Sequence, residues 1–166
     1  MAVWARAADS SDQARGQELA AEIIGQYGST PYADQTVLVL ARVDVEAGNL
    51  DQAAARLRQV MDESKDAELA LVARFRLARV QIAQGDHDAA LATLDGADAP
   101  AVGAAAAELR GDALLAKGDR AGALAAYQQA LAAGSAGSAT GLIDPELLQL
   151  KIDDLAAGGA TPQAGS

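Results

Sequence analysis

Gly48-Asn49-Leu50-Asp51-Gln52-Ala53, Gly85-Asp86-His87-Asp88-Ala89-Ala90 and Gly118-Asp119-Arg120-Ala121-Gly122-Ala123 share one pattern: glycine, an amide or acid, three variable residues, alanine. Their glycines lie 37 and 33 residues apart, and a fainter copy from Gly16 to Ala21 starts 32 residues before the first. Each copy makes physical sense. Glycine adopts the left-handed backbone that ends a helix. Asn49, Asp86 and Asp119 are of the type that caps the next helix by accepting from its free N–H groups. The small alanine then lets the second helix lie close against the first. A period near 34 residues is that of stacked helix-turn-helix repeats.

The third copy carries the tetratricopeptide pattern most fully, with Gly111 seven residues before Gly118, Tyr127 four after Ala123, and Ala130 three further on. The other two keep a small residue at the Gly111 position, Ala41 and Ala78, and place Leu57 and Leu94 where the third has Tyr127. Val37, Arg74 and Ala107 stand at the consensus tryptophan. The expected fold is all-α: a right-handed tetratricopeptide-like solenoid of about three repeats, with an N-terminal half-repeat and a C-terminal capping helix. The pattern predicts helices over 32–47 and 50–62, 66–84 and 87–94, and 101–117 and 120–133. Apolar Leu19, Ile23 and Ile24 mark a face of the half-repeat helix over 13–27. Asp144-Pro145-Glu146 reads as a helix start, followed by Leu147, Leu148, Ile152 and Leu155 to cover the last repeat. One domain over 1–157 is expected, with a disordered tail over 158–166.

Composition agrees. Alanine occurs 43 times in 166 residues, against 19 β-branched residues, and alanine is the best helix former. Cysteine is absent, which excludes disulfides, thiolate metal sites and thiol nucleophiles. Net charge is −10, which repels phosphate backbones and anionic lipid, so nucleic-acid binding is not expected. The longest uncharged run, 121–143, is broken by Gly122, Gln128, Gln129, Gly134 and Ser135 and reads as a helix and loop, not a membrane span. No apolar signal-peptide core follows Met1.

Chemistry-bearing arrangements are few. The single histidine, His87, sits between Asp86 and Asp88, a grouping that could suit a metal, but Asn49-Leu50-Asp51 fills the same register without it, so a helix start is the better reading. Glu108 and Asp112, four residues apart on one helix face, suit either an acid–base pair or structural ion pairs; Arg79 holds the same repeat slot as Asp112 and is the expected partner. Gly118-Asp119-Arg120 has no strand before it and is no phosphate loop. The expectation is a protein without enzymatic activity, metal or cofactor. First helices of such repeats line a concave groove, and Leu38, Arg42, Phe75, Arg76, Arg79, Glu108 and Asp112 are assigned to it. An apolar, arginine-bearing groove suits a protein or peptide partner. Two readings of that groove stand side by side: open, or partly filled by flanking helices.

With the repeats aligned, Phe75-Arg76-Leu77-Ala78-Arg79-Val80-Gln81 and Leu109-Arg110-Gly111-Asp112-Ala113-Leu114-Leu115-Ala116-Lys117-Gly118-Asp119 resemble the YfgM-type ancillary subunits of the bacterial Sec translocon. The resemblance runs from about Gln17 to Leu155 and includes Ala53-Ala54-Ala55-Arg56-Leu57 and Leu150-Lys151-Ile152-Asp153-Asp154-Leu155. It implies an interaction domain at the periplasmic face of the inner membrane, linking the Sec channel to periplasmic chaperones for secreted proteins. Translocon subunits and a membrane-anchored, prolyl-isomerase-like chaperone are the implied partners. A generic tetratricopeptide scaffold in another envelope or cytoplasmic assembly is the alternative. Members of that family carry one transmembrane helix ahead of the repeat domain; this sequence has none, and the expectation is a native chain that continues upstream of Met1. The lack of cysteine fits an oxidising compartment.

Overall fold

Glycine turns set the helix boundaries. Gly48, Gly85 and Gly118 take φ of 80°, 84° and 91°, a region closed to most side chains. The same two bonds close each turn. Gly48, Gly85 and Gly118 donate to the carbonyls three residues back, while Asn49, Asp86 and Asp119 donate five residues back to Asp44, Gln81 and Leu114. This is the Schellman arrangement that satisfies a helix's last carbonyls.

The computed structural model describes residues 15–16, 18–19, 22–26, 28, 30–97, 102–136 and 143–159. After helical residues at 15–16, 18–19 and 22–26 come α1 (Pro31–Glu46), α2 (Leu50–Glu63), α3 (Ala67–Gln84), α4 (His87–Leu94), α5 (Gly103–Ala116), α6 (Arg120–Ala136) and α7 (Pro145–Gly159). The expected helices are present within a few residues of their expected ends. Helix α7 continues through Gly158 and Gly159, two residues into the stretch assigned to a tail; 160–166 lies outside the described residues, as does 1–14.

The chain divides into two units, 1–80 and 81–166, with the boundary inside α3. In the first, α1 packs on α2, around Val37, Leu38, Ala41, Ala53, Ala54, Leu57, Val60, Ala73, Leu77 and Val80. Ile24 packs against this core, while Leu19 and Ile23 stay exposed. In the second, α4 packs on α5, α5 on α6 and α6 on α7. Its core joins Ala107, Ala123, Tyr127 and Ala130 to Leu148, Ile152 and Leu155 of α7, so the C-terminal helix does cover the last repeat. Ala53, Ala90 and Ala123 are all fully buried, as the repeat requires.

Capping departs from expectation. Of the three residues that follow the repeat glycines, Asp119 alone caps through its side chain, accepting from Gly122 N–H at 2.9 Å. Asn49 and Asp86 make no side-chain cap bond. Their ψ angles of 60° and 58° leave the extended geometry such a bond needs, and their backbone carbonyls alone start the helices, accepting from Ala53 and Ala90. Elsewhere Asp66 and Asp144 cap α3 and α7, each through one carboxylate oxygen that accepts two backbone N–H groups.

Candidate functional site

The residues assigned to one groove fall in both units. In the first unit, Arg76 and Arg79 stand three residues apart on α3 and so share a face. Together with Arg42 of α1 they border a hollow of about 280 Å³ whose other lining residues are Ala41, Val45, Leu57 and Val80. The floor is apolar and the charged groups stand around it. Arg42 reaches Glu46 one turn on, at 3.5 Å, with both side chains mostly exposed. Arg76 and Arg79 are exposed and have no ion pair among the described residues. Leu38 is corrected: it is 5% exposed and belongs to the core, because it shares the inward stripe of Val37 and Ala41. Phe75 is half-buried and stands outside the hollow's lining.

In the second unit, Glu108 and Asp112 are engaged. Lys151 of α7 donates to Glu108 Oε1 at 2.9 Å and to Asp112 Oδ1 at 2.8 Å. Tyr127 Oη also donates to Asp112 Oδ1, at 2.7 Å, and the Lys151 ammonium stands 5.2 Å from the Tyr127 ring centroid, within cation–π range. Burial, then the hydrogen bond to Asp112, pushes the Tyr127 phenol well above its ordinary value. Burial alone pulls Lys151 down, but Asp112 and Glu108 more than reverse it, and its pKa is raised. The expected ion pair exists, but its cation is corrected from an arginine to Lys151. On this face of α5 both carboxylates are held by Lys151 of α7.

His87 begins α4, and the neighbouring Asp88 pairs with Lys117, whose hydrogen bond and charge hold the Asp88 carboxyl below its usual range. No group of three metal-ligating side chains is gathered among the described residues.

Sequence reading missed two polar clips. Asp44, 4% exposed, accepts from Arg56 Nε at 2.7 Å; Gln81, 5% exposed, accepts from Thr93 Oγ1 at 2.8 Å. Both pairs join the positions four before and eight after the repeat glycine. The same register in the third repeat holds Leu114 and Ala126. A comparison of the repeats at those two positions contained the signal.

Against known proteins, the model for the tetratricopeptide repeat-like domain matches residues 2–157. The chain belongs to that family. This tetratricopeptide-like chain is 38% identical over 136 residues to an ancillary SecYEG translocon subunit of Escherichia coli K12, covering 82% of the chain and 64% of the relative. A protein of the same name from Aggregatibacter actinomycetemcomitans is 35% identical, covering 76% of the chain and 59% of the relative. One from Neisseria gonorrhoeae is 32% identical, with 88% and 69% covered. The chain thus spans about three-fifths of the length of the first two relatives.

Proposed function

We propose that the chain is the protein-interaction domain of an ancillary Sec translocon subunit and acts as a scaffold without catalysis. The observation that carries this reading is the 38% identity over 82% of the chain to the Escherichia coli subunit of that name. The arginine-bordered hollow supports it: an apolar floor with charged margins is the make-up of a docking site. In this reading the domain stands at the periplasmic face of the inner membrane. A membrane helix outside this chain anchors it, and it links the Sec channel to a membrane-anchored periplasmic chaperone. No helix among the described residues is itself long and apolar enough to cross a membrane.

The test is to tag the full-length protein in its own organism, solubilise the membranes in mild detergent, and identify what co-purifies. Sec channel subunits together with a membrane-anchored chaperone are the expected result. Purification without Sec channel subunits overturns the reading in favour of a scaffold for another assembly.

A further inference from the structure

The hollow between α1, α2 and α3 combines two features that point to one kind of occupant. Its floor is made of Ala41, Val45, Leu57 and Val80, and Val45 is 41% exposed. At about 280 Å³ it falls just short of the roughly 300–1,000 Å³ of small-molecule and cofactor sites, and suits a side chain or two of a larger partner. Around that floor stand three guanidinium groups in a chain of net charge −10. Arg76 and Arg79 have no carboxylate partner among the described residues, and Arg42 holds Glu46 only through a long, exposed contact. A guanidinium is a rigid donor fork matched to a carboxylate. Phosphate-dense polymers and anionic membranes meet the repulsion of the whole chain, whereas a short acidic segment meets chiefly the local arginines.

We infer that this hollow receives an internal acidic segment of a protein partner, one apolar side chain entering between α1, α2 and α3 while flanking carboxylates meet Arg42, Arg76 and Arg79. The inference rests on the docking role proposed above and names the chemistry that fills the site. The hollow lies within the first unit, on both the first repeat and α3 of the second repeat; in the last repeat the residue at the slot of Arg79, Asp112, is paired with Lys151.

The probe is a short, doubly capped, fluorescein-labelled peptide with glutamates flanking a central phenylalanine and leucine, titrated with the 166-residue chain and read by anisotropy. Binding is expected, weakening as salt screens the contact. Arg76→Glu/Arg79→Glu is expected to cost about tenfold or more in affinity. Because both side chains are exposed, the variant should melt as wild type does. Arg76→Lys/Arg79→Lys keeps the charge, loses the fork and should bind with intermediate affinity. A peptide with lysines for glutamates should not bind. No binding of the glutamate peptide, undiminished binding by the charge-reversed variant, or equal binding of the lysine peptide overturns the inference. So does tighter binding of an apolar peptide through a free C-terminal carboxylate, or a dimer of the chain in sedimentation that charge reversal abolishes. Co-purification of full-length wild type with Sec channel subunits separates the two claims: retained Sec association without peptide binding removes this occupant and leaves the docking role standing.

Discussion

Gly111 and Tyr127 show how a single contact is tuned. A Cβ placed on Gly111 would lie 2.3 Å from Tyr127 Cε1, and Tyr127 is fully buried. In the other two repeats the same positions hold Ala41 with Leu57 and Ala78 with Leu94, in each case a larger small residue and a smaller large one. Gly111→Ala gains about 1 kcal/mol of helix propensity but forces a rigid ring to move, at a cost of about 1–3 kcal/mol. The variant is therefore expected to be less stable in urea melts. Tyr127→Leu alone leaves a void and removes one of the two donors to Asp112 Oδ1. Combined, the two changes rebuild the alanine–leucine pair of the earlier repeats, and the double variant should be more stable than the sum of the singles predicts, by about 1 kcal/mol or more. Strict additivity would show that the contact is slack.

Helix pairs are joined by polar contacts as well as by core packing. Between α1 and α2, Asp44 depends on Arg56. Arg56→Met strands a buried carboxylate and should cost about 3 kcal/mol. Asp44→Leu with Arg56→Ala copies the apolar clip of the third repeat, Leu114 and Ala126, and should cost far less; equal losses in thermal melts would contradict this account. Between α5 and α7 the tie is Lys151 with Glu108 and Asp112. Lys151→Met should destabilise by about 1–2 kcal/mol, between an exposed and a buried pair. Its pH dependence has a definite sign. Lys151 and Tyr127 both hold their protons above ordinary values, so the native chain binds more protons than the unfolded one above about pH 10. That stability is fully present below about pH 10 and is lost as pH rises through the raised pKa values. Urea melts at about pH 9 and 11 should show a loss in wild type that is smaller in Lys151→Met.

Over the whole chain, what the sequence alone determined is what depends on near neighbours and on the repeat. The helices, the left-handed glycines at 48, 85 and 118 and the buried alanines at 53, 90 and 123 follow from period and turn chemistry, because those forces act within a few residues and recur in each copy. The same reading assigned Arg42, Arg76 and Arg79 to a groove lined by first helices, and the tertiary structure sets all three around one hollow. It misjudged Leu38, because a stripe's inward edge is drawn by the helix that packs on it, not by spacing. It also took Asn49 and Asp86 for side-chain caps, where a residue type suggests a bond that only ψ permits. Tertiary structure alone decided the fate of Glu108 and Asp112. Their cation comes from α7, 43 and 39 residues away. Nothing in local propensity encodes that pairing, because it depends on how α7 lies across α6 and how far one lysine stem reaches.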